Sequence, residues 1–450
     1  MTRTRLVLGL ATASVLATVL LLGGVFAGSP SSVAAASGAS FDGSEQTALG
    51  QLVAGFSTGD TAGFVSRLER QVSRQPADSQ ALAMLGLAYQ QRARETGDPT
   101  YYTRSGEALR RAAAGAGAPA SLIVQGQASL ANARHQFAQG LELARAALEQ
   151  DPNSAGAYGA LGDALLNVGR YRAAFRAYDR MVVLAPGIAS LTRVANAREL
   201  LGRPAAAADA IRFALGIDHT VPEHVAWTRV QLGNLAFNRG RLGESAKAFR
   251  AALARTPAYV HANAGLARVE AARGEYAVAI ARLRRVVAAL PIPAYVILLG
   301  DTLRASGDED AARREYALVG AIERLFAANG VRTELQTAVF DLDHGRNVAA
   351  ALQRARAAHR SAPGIYAEDA LAWGLLRLGR CEEARAHSVR ALRIGTRDAL
   401  FVFHRAMIER CLGDASARSW FRRALSINPH FSLLWAPVAR REVSRQTLPA

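Results

Sequence analysis

The stretch YGALGDALLNVGRYRAAFRAYDRMVVLAP, Tyr158–Pro186, decides the fold. Tyr158, Leu161, Gly162 and Leu165 share one helical face, and Ala174, Tyr178 and Met181 share the face of a second helix. Gly169 between them supplies a turn, and Pro186 stops the unit because proline cannot continue a helix interior. The reading is a helix–turn–helix hairpin. Gly162 has no side chain, so the second helix can approach closely. Ala174 is its small counterpart there, and Leu161, Leu165 and Tyr178 fill the remaining space. One hairpin cannot bury both of its faces, so such units must stack.

The pattern recurs. Turn glycines stand at Gly169, Gly202, Gly240, Gly274, Gly307, Gly345, Gly379 and Gly413, in steps of 33, 38, 34, 33, 38, 34 and 34 residues. The two long steps carry an insertion, Asp218–Pro222, and an extended helix, Leu318–Ala328. A Leu-Gly pair, an aromatic, an alanine, a second aromatic and a closing proline at this spacing resemble the tetratricopeptide repeat (TPR). The Trp227–Pro257 unit matches closely, with Leu232, Gly233, Phe249, Ala252 and Pro257 in place. The resemblance implies an all-α, right-handed α-solenoid of about eleven helical hairpins, covering nearly everything after Ser44. The solenoid is expected over residues 44–432, with a capping helix and tail at 433–450.

The first 43 residues read differently. Arg3 and Arg5 precede an uncharged run from Leu6 to Ala27, and Val33–Ser37 offers a small-residue cleavage site after Ala36. Residues 1–36 are therefore a cleaved signal peptide or a retained transmembrane anchor, since the run is long enough to span a bilayer. Both readings export the repeats to the extracytoplasmic side. Residues 37–43 are a flexible linker in composition.

The formal net charge is +17 over 450 residues, yet Lys247 is the only lysine and the arginines are spread over many helices beside glutamates. That dispersion argues against nucleic acid as a partner and for a solvated arginine surface. There is no P-loop, dinucleotide fingerprint, G-x-S-x-G or H-E-x-x-H, and no cofactor or catalytic residue is expected.

Function is expected on the first helix of each unit, which lines the concave face. The position after the buried Leu-Gly pair reads Asp163, Asn196, Asn234, Arg268 and Asp301 in successive units, with Trp227, His261 and Arg304 nearby. In the TPR family, asparagines and basic residues in such a row hold an extended peptide, so the resemblance implies a protein or peptide partner in the groove. Cys381 and Cys411, the only cysteines, sit at the turns of neighbouring hairpins, where a disulfide is geometrically reasonable and export makes it chemically so. No histidine spacing repeats a metal motif. The reading is a non-enzymatic scaffold. The alternative is an accessory protein of a transporter, taking a small ligand or metal ion through His219, His224, Asp341 and His344.

Overall fold

The hairpins are built on small-residue contacts between their two helices and, in most, a glycine turn. The computed structural model describes residues 49–52, 59–217 and 221–445. The leader, the Ala36 cleavage position, the linker and His219 lie outside them. Gln46–Ala450 forms one unit. It opens with α1 (Thr61–Arg74) and continues as ten hairpins. These are α2–α3 (Ser79–Thr96, Thr100–Ala114), α4–α5 (Ala120–Ala133, Phe137–Gln150), α6–α7 (Ala155–Asn167, Tyr171–Leu184) and α8–α9 (Ile188–Leu200, Pro204–Ile217). Then come α10–α11 (Pro222–Asn238, Leu242–Arg255), α12–α13 (Val260–Ala272, Tyr276–Ala289) and α14–α15 (Pro293–Ala305, Glu309–Ala328). The chain ends with α16–α17 (Glu334–Asp343, Val348–Ser361), α18–α19 (Ile365–Arg377, Cys381–Ala391), α20–α21 (Ala399–Cys411, Ala417–Ile427) and a last helix, α22 (Ala436–Ser444). With α1 as the second helix of an opening unit, there are eleven units and, among the described residues, no strand.

The deciding stretch folds as α6–α7. Ser154 caps α6 by accepting from the Ala157 amide, and Gly169 closes the turn at a φ of 78°, where an L side chain is strained. A Cβ on Gly162 would lie 2.3 Å from the Tyr178 ring, so the glycine is what lets α7 approach. Gly233 against Phe249 and Gly300 against Tyr316 repeat the arrangement. Tyr178 and Phe249 are almost wholly buried, each contributing about 2–3 kcal/mol through burial. His135 takes the left-handed conformation that other units give to glycine, at a φ of 57°.

Cys381 and Cys411 form a disulfide, Cα atoms 6.2 Å apart, joining the turn of α18–α19 to that of α20–α21.

The solenoid coils back onto itself. Five successive hairpin turns of a first coil meet five successive inter-hairpin linkers of a second. Gly97 packs against Leu290 and Ile292. The Gln136 side-chain amide donates to the Gly330 carbonyl at 3.0 Å, and the Arg332 amide donates to the Arg134 carbonyl at 3.0 Å. The Ile365 amide donates to the Tyr171 hydroxyl at 2.7 Å, beside Gly169 and Pro363. Gly202 abuts the Gly395 carbonyl, and Gly240 abuts Pro429 while Asn428 donates to the Phe237 carbonyl at 2.9 Å. The seam hydrogen bonds named here join residues 191 to 198 apart. No periodicity argument reaches that far.

Candidate functional site

The seam carries second-coil residues across the groove expected of the repeats and leaves two chambers that remain partly open to solvent. A first chamber of about 1130 Å³ is lined by α2, α6, α8, α10 and α12 on one side, with Leu290, Ile292 and Phe326 opposite. A second chamber of about 570 Å³ lies astride the seam. Asn196 and Glu199 line both.

The row after each Leu-Gly pair divides into two kinds, according to the residue 15 positions later on the second helix. Where that residue is tyrosine, the row holds aspartate. Tyr178 donates to Asp163 at 2.9 Å, and Tyr316 donates to Asp301 at 2.7 Å. A buried phenol needs an acceptor, and these aspartates supply it. Where the residue is Ile211, Phe249 or Leu283, there is no hydroxyl to satisfy, and the row holds Asn196, Asn234 and Arg268. Those three face the interior.

Asp163 is further engaged by Arg193 of the next unit through both of its oxygens, at 2.9 to 3.2 Å. Burial opposes the Arg193 charge, but Asp163 more than offsets this and holds the guanidinium protonated above its usual range. Asp301 also receives His344 at 2.8 Å. The Asn196 side chain has no hydrogen-bond partner among the described residues. Asn234 accepts from Arg268 at 3.1 Å, and the Arg268 guanidinium lies 3.9 Å from the Phe237 ring centroid. Burial pulls the Arg268 pKa down to about 10 and leaves its Nε without a partner.

Of the eight groove residues read from the sequence, Asp163, Asn196, Trp227, Asn234 and His261 line the first chamber. Asn196, Arg268 and Asp301 line the second. Arg304 lines neither; it pairs with Glu309 at 3.3 Å. Trp227 packs beside Ile188, Leu191 and Ala214, and His261 lies 2.5 Å from the Tyr295 hydroxyl. The first chamber also holds residues that the sequence reading passed over. Arg94 is among them, donating to Gln91 at 2.6 Å. Glu223 accepts from Tyr259 at 3.0 Å, and burial raises its carboxyl pKa. Gln231 could have been found, since it stands one helical turn before Asn234 on the same face.

The histidines proposed for a metal fall into separate networks. Asp341 is held by Arg354 and faces Arg346 at 3.8 Å, while His344 belongs to Asp301 and the Phe340 carbonyl. His224 is buried in α10. Among the described residues, no group of three or more His, Cys, Asp or Glu could hold a metal ion. Nor is any described helix long and apolar enough to cross a membrane.

Two tetratricopeptide-repeat family models match the chain: one over residues 143–176, which takes in α6 and the start of α7, the other over 230–291, which runs from within α10 past the end of α13. The chain is a tetratricopeptide repeat protein. Its fold is that of a protein-binding scaffold, a class typically without catalytic activity. No curated protein matches this TPR chain. Among solved structures it is similar to a tetratricopeptide repeat protein from Parabacteroides merdae, at 15% identity and a TM-score of 0.40, covering 54% of this chain and 98% of that one. It is also similar to PilF of Pseudomonas aeruginosa, at 17% identity and a TM-score of 0.37, covering 45% and 91%. A third is the human IFIT1 dimer with PPP-AAAA, at 13% identity and a TM-score of 0.44, covering 86% and 95%.

Proposed function

We propose that this TPR protein is a non-enzymatic scaffold that holds an extended segment of a partner protein inside its first coil, on the extracytoplasmic side of a membrane. The observation that carries the reading is the interior row. Helices α8 and α10 place Asn196 and Asn234 in the lining of the first chamber, and no tyrosine of their own hairpins requires them there. Carboxamides offer both donor and acceptor, which suits the alternating N–H and C=O of an extended backbone. Trp227 adds apolar area. Export is supported by the basic start and apolar run of the leader and by the Cys381–Cys411 pair, which suits an oxidising compartment. The leader then serves as signal or membrane anchor.

The test is site-specific photo-cross-linking in the native host. A benzoyl-phenylalanine at Gln231 faces the chamber, whereas one at Arg250 lies on the exposed side of α11. We expect a discrete cross-linked partner from position 231 alone, lost when Asn196 and Asn234 are both changed to Ala. Equal cross-linking from position 250, or none from 231, would move the site out of the chamber.

A further inference from the structure

The inner row carries on into the second coil, where something else meets it. Trp373 stands six residues before Gly379, just as Asp163 stands six before Gly169 and Asn234 six before Gly240. In the first coil that place lines a chamber. Trp373 is instead 1% exposed, and what covers it is the chain itself. After α21 the linker to α22 runs for eight residues, against three or four after α7, α11 and α17. The added length carries Trp435 across the inner helices of three successive hairpins.

The Trp435 indole N–H donates to Asp343 of α16 at 3.0 Å, onto the same carboxylate oxygen that accepts from Trp373 at 3.0 Å. Its ring meets Trp373 of α18 edge to face, centroids 5.2 Å apart, and stacks on Phe403 of α20 at 5.8 Å. The Arg377 guanidinium lies 5.6 Å and 5.9 Å from the two indole centroids. Phe431 adds a second ring against Phe403 at 5.4 Å, and Ser432 pins the turn by accepting the Leu434 and Trp435 amides. The segment sits as a ligand would. A buried indole needs an acceptor as well as apolar walls, and Asp343 with these rings supplies both. Phenylalanine would fill the walls and bring no donor. Capping the solenoid requires only that α22 cover α21, not that a side chain reach α16, 92 residues earlier. Trp435 and Phe431 are only half-buried, so solvent already reaches this strap. Asn428, Phe431 and Leu433 of the same segment also wall the second chamber.

We propose that the inner face of the second coil is a recognition site for a tryptophan-bearing protein segment, held closed in this chain by Trp435 as an internal occupant. A partner reaches the site by displacing the strap, and the displacement takes away one wall of the second chamber. The proposal rests on the scaffold reading for the class of partner, but on a different part of the molecule.

The test uses the full chain and two fluorescein-labelled peptides, both acetylated and amidated. One has the sequence of residues 428–441; the other has its tryptophan changed to alanine. Trp435→Ala in the full chain empties the site. We expect this variant to bind the tryptophan peptide at least about tenfold tighter than the alanine peptide by anisotropy, and at least about tenfold tighter than the parent does. Adding Asp343→Ala should abolish the preference, whereas adding R250Q should not. Equal binding of the two peptides by folded W435A, or equal binding of the tryptophan peptide by parent and variant, would overturn the proposal. Indole N–H exchange in the parent is a second measurement that needs no variant. Trp373 and Trp435 should exchange together, at least about tenfold faster than the backbone amides of α20. Exchange of both only at the rate of global unfolding would overturn the strap, even if W435A failed to fold. Neither measurement bears on the first chamber, which cross-linking from position 231 judges separately.

Discussion

The hairpin turns of the first coil and those of the second are built alike and live differently. Val168-Gly169-Arg170 and Leu201-Gly202-Arg203 in the first coil have close counterparts in Leu378-Gly379-Arg380 and Leu412-Gly413-Asp414 of the second. All four glycines have φ between 69° and 78°. Yet a Cβ on Gly202 would lie 2.3 Å from the Gly395 carbonyl, and one on Gly169 2.7 Å from the Pro363 carbonyl, whereas Gly379 and Gly413 meet nothing within 4 Å. Local sequence sets the shape of each turn. The position of that turn in the coil sets what it costs to change it.

The largest effect should separate these two rims. Gly202→Ala combines left-handed strain with a clash against backbone, and we expect it to cost about 3–5 kcal/mol in urea unfolding. Gly413→Ala carries the strain alone and should cost about 1–2 kcal/mol. Equal losses would mean that the seam yields freely. Next is the covalent tie. The rim without a docking partner is the one that carries the Cys381–Cys411 disulfide, between two of its open turns. Changing both cysteines to Ala should cost about 2–4 kcal/mol, measured without reductant. Adding a reductant to the parent should reproduce it.

A third effect sits in the seam linker itself. Burial first, then the Asp369 charge, raises the Asp398 pKa from 3.8 to about 6. The folded state therefore keeps a proton that the unfolded chain has released, so stability falls as pH rises from about 4 to 6. Asp398→Asn keeps a capping side chain and removes the titration. Its stability relative to the parent should rise between pH 4 and pH 7, by on the order of 1–2 kcal/mol. A flat difference would show that Asp398 is solvated like any surface acid. The smallest effect concerns one hydroxyl. Tyr171 and Tyr276 both open a second helix, but only Tyr171 accepts a seam hydrogen bond, from the Ile365 amide. Tyr171→Phe should cost about 1 kcal/mol and Tyr276→Phe close to nothing, by the same unfolding measurement.

Much of the architecture was legible because its causes are local. Gly162 against Tyr178, Gly233 against Phe249 and Gly300 against Tyr316 are contacts 16 residues apart, within one hairpin, and the glycine steps count the units directly. The candidate site was legible in part. Asn196 and Asn234 line the chamber because they stand one position after the buried pair, and so on the neighbouring face of the helix. The role of Asp163 was hidden, since it depends on Tyr178 and on Arg193 of the next unit. Arg304 was misplaced because its position on the helix end lets Glu309 draw it away from both chambers. The seam was beyond sequence reasoning altogether. Its hydrogen bonds are largely to backbone carbonyls, those of Arg332 and Gly330 in a linker and of Phe237 near the end of α10, and carbonyls leave no signature in side-chain pattern.

The seam also changes how the chain must reach its final form. Ordinary repeat arrays grow by neighbour contacts, so their folding is quick and needs no distant meeting of segments. Here a set of bonds spans nearly two hundred residues, and none can form until the second coil has been built. Hairpins assemble first, and closure comes last, as a separate and slower event governed by the entropy of bringing two preformed coils into register. During synthesis, the inner wall of the first coil is complete well before Gly330 arrives. For that interval the interior is an open trough. The part of the first chamber that Leu290, Ile292 and Phe326 supply is added only when the two coils meet.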